Sequence, residues 1–227
     1  MIDLSQAPET VAPQLLGAVL RRQSVDGTVA VLLTEVEAYP GIGDPASHTA
    51  NGWTPRCATM FGPPGHLYVY ASYGIHRAGN IVCRDEGTGA GVLLRAGRVV
   101  EGLDLVRRRR SRVKDGAEVI PEDAALARGP GNLGAALGLD LDLDGATLAV
   151  VDGSGTADGA DGSAGSAGNA GSVGSAGPAA FTLTPPAAPV EYVRGPRIGV
   201  SKNADAPLRF WIPGERSVTS PRRPPRG

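Results

Sequence analysis

Apolar positions along the chain set its elements before any single residue suggests chemistry. In VAVLLTEVEAYPG, Val29 to Gly41, an apolar run ends in carboxylate and aromatic residues that alternate with small aliphatic ones. At strand spacing Val29, Val31, Leu33, Glu35, Glu37 and Tyr39 share one face, and Ala30, Leu32, Thr34, Val36 and Ala38 share the other. One face thus changes from apolar to acidic and aromatic, as expected where a strand leaves a core and enters a pocket. A turn at Asp26-Gly27 joins this strand to another around Ala18 to Arg22, so a hairpin delivers Glu37.

The same reading continues along the chain. Thr10 caps a short helix through Gln14 to Leu16. Residues 40–65 are rich in Gly, Pro, Asn and Thr and read as loop, with one short helix near Arg56 to Met60. HLYVYAS, His66 to Ser72, has strand composition, and Tyr73-Gly74 turns it. Asn80 to Cys83 and Gly91 to Ala96 form a second hairpin. Helices are expected over Glu101 to Arg112 and Asn132 to Leu137, and PRIGVSKN and LRFWIPG supply two more short strands. The pattern predicts one α+β domain over residues 1–227, built on a curved, largely antiparallel sheet with a few helices.

Two segments break the pattern. Between residues 152 and 180 glycine recurs every third position from Gly159 to Gly177, but a collagen-like helix needs proline-rich triplets and only Pro178 is present. A disordered Gly/Ala/Ser loop insertion is expected there, tolerated because loop closure grows slowly more costly with length. Residues 215–227 read as a Pro/Arg-rich tail.

Composition narrows the class. At 227 residues and 41% hydrophobic content the chain holds enough apolar surface for one core. The formal charge of −1 announces no nucleic-acid partner, yet Arg107 to Arg110, Arg112 and Lys114 form one basic block, and Arg216, Arg222, Arg223 and Arg226 another. Aromatic residues make up only 4% of the chain, yet Tyr39, Tyr68, Tyr70 and Tyr73 fall close together. Cys57 and Cys83 lack metal-ligand spacing and are too few for a disulfide framework. With no signal core and no long apolar run, a monomeric cytoplasmic protein without metal or cofactor is expected, and no membrane partner.

The chemistry-bearing stretches occur in a fixed order: TEVEAYPG, Ser47-His48, Thr54 to Arg56, MFGPPGHLYVYASYGIH from Met60, Asn80, VLLRA from Val92, Glu101-Gly102, RGPGNL from Arg128 and PRIGV from Pro196. From about Leu15 to Gly214, together they closely resemble the alkyladenine, or 3-methyladenine, DNA glycosylase family, monofunctional enzymes that excise alkylated and deaminated purines from double-stranded DNA. The resemblance implies a fold like the C-terminal domain of formyltransferases. It implies Glu37 as the catalytic carboxylate, with Arg95 helping to hold the water and that carboxylate. Tyr39 would form one wall of the base pocket and His48 with Tyr70 the other. Asn80 would crowd the exocyclic amine of guanine, and Tyr73 would fill the stack left by the extruded nucleotide. His76 would face the minor groove or a phosphate. Asn132 stands where the family often has lysine or arginine.

The residues by themselves agree with such chemistry. An oxocarbenium-like sugar is stabilised by a carboxylate that also activates water, and electron-poor purines stack well between electron-rich rings. Two other readings compete. The same fold could bind nucleic acid without cutting it, although a pure binder has no need of Glu37 and Arg95 beside a ring-lined pocket. Glu35 and Glu37 could instead serve as the paired carboxylates of a sugar hydrolase. A zinc deaminase is excluded, since His48 is not followed by the required glutamate spacing and the cysteines lie far apart.

Overall fold

A computed structural model describes residues 2–72, 74–152 and 180–220. The Gly/Ala/Ser insertion, Tyr73 and the chain beyond Ser220 lie outside these described residues.

The sheet is organised around β2 (Gly27–Tyr39), preceded by α1 (Pro8–Leu15) and β1 (Val19–Ser24). After the long loop, which carries a 3₁₀ helix over Pro55–Phe61, come β3 (His66–Ser72), β4 (His76–Cys83) and β5 (Ala90–Glu101). Then follow α2 (Leu103–Arg110), the small hairpin of β6 (Arg112–Lys114) and β7 (Ala117–Val119), α3 (Pro130–Leu137) and β8 (Ala146–Val150). β9 (Phe181–Thr184), β10 (Val193–Gly195) and β11 (Arg209–Trp211) complete the fold.

One nine-stranded sheet runs β1-β9-β8-β3-β4-β5-β2-β11-β10, and β1 also pairs with β2. That extra pairing closes β1, β9, β8, β3, β4, β5 and β2 into a ring, leaving β11 and β10 as a flap on the distal half of β2. The sheet is therefore barrel-like, and among the described pairings only β8 with β9 is parallel.

β2 changes partner midway along one edge. From Gly27 to Leu32 it pairs with β1, and from Glu35 to Glu37 with β11. Its other edge follows β5 with register shifts between Leu33 and Glu35 and again between Glu35 and Val36. Leu33 opposes Gly97 and Glu35 opposes Ala96, so Thr34 is the extra residue on β2; Val36 opposes Leu94, so Arg95 is the extra residue on β5. These bulges correct the simple alternation. The main core takes Val29, Val31 and Leu33 but then Val36 and Ala38, so Glu35 and Glu37 do not share the face of Leu33. They point away from the core because the bulge resets the phase.

Other boundaries move for local reasons. α1 starts at Pro8, whose fixed φ suits a first helical position, and the residue before it, Ala7, gives no side-chain cap, so Thr10 is not the cap. α3 likewise starts two residues before Asn132, at Pro130. PRIGVSKN is not a strand; β10 precedes it, and Pro196 cannot donate to a ladder. Half of the basic block is committed to the fold. Arg107 pairs with Asp123 and Asp104, Arg109 reaches Asp26 and the Ala136 carbonyl, and Arg110 donates to the Leu126 carbonyl.

Candidate active site

Cross-strand register lines up one row of side chains opposite the main core. Tyr68 on β3 pairs with Asn80 on β4, Asn80 with Leu93 on β5, Leu93 with Glu37 on β2, and Glu37 with Arg209 on β11. On this face a second, smaller cluster of Cys57, Met60, Tyr68 and Val82, with Phe61 and Tyr70, is covered by the 3₁₀ helix of the long loop. Beside it opens a cleft of about 1410 Å³. Its lining includes Tyr39, His48, Tyr68, Tyr70, Asn80 and Arg95, together with Gly131, Ile198 and Thr219.

Two fully buried carboxylates stand under this cleft, and their partners differ. Glu35 is enclosed by Arg209, by Arg95 Nε at 3.2 Å, and by the Thr219 backbone N–H and hydroxyl at 2.8 and 2.7 Å. Glu37 accepts from the Ile198 N–H at 2.7 Å and from the Tyr39 hydroxyl at 3.0 Å, and Arg95 Nη1 lies 3.3 Å away. Arg95, nearly buried itself, thus bridges both carboxylates. Four acceptor directions are open to a carboxylate pair of oxygens. Glu35 has its directions filled within the protein, which removes the paired-carboxylate reading; Glu37, buried behind cleft-lining Tyr39, Arg95 and Ile198, has three filled.

The rings are arranged at angles. His48 sits 4.6 Å from Tyr70 at an interplanar angle of 82°, and Tyr68 stacks on Tyr70 at 5.4 Å. His48 Nδ1 lies 3.3 Å from the Tyr68 hydroxyl. Tyr39 faces them from the end of β2, and its ring lies 4.6 Å from the Arg197 guanidinium. Arg197 in turn forms a bidentate buried pair with Asp44 at 2.5 and 2.9 Å, tying the segment after β10 to the loop that carries His48.

The description Methylpurine-DNA glycosylase (MPG) belongs to a family model that matches residues 3–216. The chain belongs to that family. As a member of the methylpurine-DNA glycosylase family, a group of DNA repair glycosylases, it is also similar to curated bacterial relatives. It is 58% identical over 221 residues to a protein of Corynebacterium jeikeium (strain K411), covering 97% of this chain and 91% of that protein. It is 44% identical over 222 residues to one of Cutibacterium acnes (strain DSM 16379 / KPA171202), covering 98% and 100%. Both carry the name "Putative 3-methyladenine DNA glycosylase".

In this glycosylase the electrostatics of the cleft separate its groups. Burial pushes the Glu37 carboxyl above its ordinary range, opposed by Arg95, the Ile198 N–H and the Tyr39 hydroxyl, with Glu35 adding to the rise. Burial, reinforced by the Glu37 charge, also raises the Tyr39 hydroxyl, which therefore stays protonated and donates. Desolvation, with the Arg56 charge adding to it, lowers the His48 pKa, so the ring is neutral at pH 7, although the residue as a whole is open to solvent. The Tyr68 hydroxyl is pushed up to about 12 by burial.

Of the residues expected from sequence, Arg95, Tyr39, His48, Tyr70 and Asn80 line one cleft, Glu37 is buried behind it against Arg95 and Tyr39, and Tyr73 lies outside the described residues. His76 is exposed, and Asn132 donates to the Arg128 carbonyl at 2.6 Å at the start of α3. Sequence reasoning missed Tyr68, Arg197, Arg209 and Thr219. Tyr68 carried a signal, sharing Tyr70's strand face. The other three reach Asp44 or Glu35 across more than 150 residues of chain, and nothing local marks them. Among the described residues, no group of three or more His, Cys, Asp or Glu is placed to hold a metal ion.

Proposed function

We propose that this glycosylase extrudes alkylated or deaminated purine nucleotides, 3-methyladenine and 7-methylguanine first and hypoxanthine also, from duplex DNA and hydrolyses their N-glycosidic bond. The observation that carries the reading is Glu37: a buried carboxylate held by three cleft-lining residues, Arg95, Ile198 and Tyr39, with one of its four acceptor directions left. A water held there is deprotonated by Glu37 as its oxygen bonds to the sugar carbon. The glycosidic bond breaks with its electrons leaving on the purine, and the product is an abasic site. A raised carboxyl pKa suits a group that must accept that proton. The charge of a methylated purine makes it a good leaving group and attracts it to the faces of Tyr39, His48 and Tyr70.

Asn80, buried in the row beside Tyr68, is assigned to exclude the amine of normal guanine. Tyr73 is assigned to occupy the stack vacated by the flipped nucleotide, a wedge that offsets an unstacking cost of a few kcal/mol. Strand cleavage is not part of the reaction, because a lyase needs an amine and the only lysines, Lys114 and Lys202, are exposed and do not line the cleft. A binding module of the same fold is the second reading, and Glu37 discriminates.

The test is incubation with duplexes that each carry one lesion, followed by detection of abasic sites. Glu37→Gln is expected to bind the duplex as the wild type does and to excise at least 100-fold more slowly, on the order of a lost general base. Wild-type turnover by that variant would remove Glu37 from its role and favour the binding module.

A further inference from the structure

The chain past the family match enters the site. The match ends at residue 216, yet Ser217 is buried with its hydroxyl 2.8 Å from that of Thr34, and Ser220 lines the cleft. Between them Thr219 makes the densest set of bonds in the charge network. Its carbonyl accepts from Arg209 Nη2 at 2.6 Å and its backbone N–H donates to Glu35 Oε2 at 2.8 Å. Its hydroxyl donates to Glu35 and accepts from Arg95 Nε at 3.2 Å.

That hydroxyl has a geometric consequence. Arg95 Nε lies 3.2 Å from both the Thr219 hydroxyl and Glu35, while Nη1 of the same rigid guanidinium lies 3.3 Å from Glu37. A planar fork held at its inner nitrogen has its outer nitrogen fixed as well. Without the hydroxyl, Glu35 loses a donor and Arg95 Nε loses an acceptor, so the guanidinium is drawn further onto Glu35 and away from Glu37. Thr34, the bulged residue of β2, anchors the same segment through Ser217, so the strap sits where the sheet changes phase.

We infer that Thr219 is a positioning residue: its hydroxyl, shared between Arg95 and Glu35, keeps the Arg95 guanidinium aimed at Glu37, and the segment past the family match thereby completes the site. This rests on the proposed role of Glu37. The charged and titratable groups facing Glu37 are Arg95 from β5, Glu35 and Tyr39 from β2, Arg209 from β11 and Arg197 from the segment after β10. Among those acting on its carboxyl, Arg95 is the strongest that holds the pKa down. Loosening Arg95 therefore sends the acid limb of excision toward higher pH, which a change of packing alone would not do.

The experiment compares wild type, Thr219→Val and Thr219→Ser in the full chain, by single-turnover excision of one methylated purine from a duplex between pH 5 and 9. Valine keeps the shape and the backbone N–H, and serine restores the hydroxyl. Thr219→Val is expected to excise about tenfold more slowly, with unchanged lesion-duplex affinity and an acid limb moved to higher pH; Thr219→Ser is expected to restore both rate and limb. Wild-type rate and limb in Thr219→Val would overturn the inference while leaving the glycosylase reading intact. So would equal losses in Val and Ser with weakened affinity and an unmoved limb, which would mark a packing role. No excision by the wild type would instead overturn the glycosylase reading, and this inference with it.

Discussion

Glu37 is held in a state that works against the fold. A carboxyl whose pKa is raised on folding binds protons more readily in the folded chain, so its contribution favours folding at low pH and is lost as pH rises through the folded pKa. Above that point the charged Glu37 destabilises the protein. Glu37→Gln removes this dependence, so its melting temperature relative to wild type should become more favourable as pH rises from 5 to 8. Thermal melts at both pH values check this; a difference that does not change with pH would show that Glu37 titrates alike in folded and unfolded chains. With Glu37 as the proposed general base, the same raised pKa predicts excision that increases with pH through its titration, because only the deprotonated form can take the proton of water. Glu35, two residues away, is used differently because Arg209, Arg95 and Thr219 fill its directions.

At the scale of elements, the site depends on opposed bulges in β2 and β5, and Gly97 opposes Leu33 just before the Thr34 bulge. A Cβ there would lie 2.3 Å from Val31 Cγ1 and 2.6 Å from the Leu32 carbonyl oxygen. Gly97→Ala must push these strands apart, and a loss of about 1–3 kcal/mol in urea unfolding is expected. A neutral result would mean the strands separate freely. The Arg197–Asp44 pair joins two loops and is buried on both sides. Although burial opposes ionisation of Asp44, hydrogen bonds from Arg197 and Asn203 hold its pKa below the ordinary value. Its stabilising effect is therefore present above the ordinary carboxylate range and lost as pH falls through the lowered pKa. Asp44→Asn leaves Arg197 charged and uncompensated, with an expected loss of about 3–5 kcal/mol, read by denaturant unfolding at pH 7.

For the whole molecule, the parallel register of β8 and β9 constrains the insertion. Leu148 opposes Phe181 and Val150 opposes Leu183, so β9 begins level with the middle of β8 and runs in the same direction. Parallel neighbours need a crossover of about a dozen residues or more. Deleting Gly153 to Gly177 leaves only Val151, Asp152, Pro178, Ala179 and Ala180 between the strands, and the melting temperature should fall. Replacing the segment with a Gly/Ser link of about twelve residues should restore the melting temperature and leave excision unchanged. Equal stability of both forms would show that the crossover length is not limiting.

The sequence determined by itself whatever depends on neighbours along the chain. Alternation in HLYVYAS placed Tyr68 and Tyr70 on one face of β3, which runs over the residues expected, and the ordered motifs carried the family and the site residues Glu37, Tyr39, His48, Tyr70, Asn80 and Arg95. Tertiary structure decided what depends on distant pairing. Strict alternation put Leu33 and Glu37 on one face, and the bulges separated them, because a bulge follows from how β5 and β11 seat against β2. The arginines of α2 read as a basic patch, and Arg107, Arg109 and Arg110 turned out to be bonded to carboxylates and carbonyls from other elements. Thr219 lay in a segment that read as tail. A threonine has no chemical signature in a sequence, and its hydroxyl gains a role only where the folded chain brings Glu35 and Arg95 within hydrogen-bond distance.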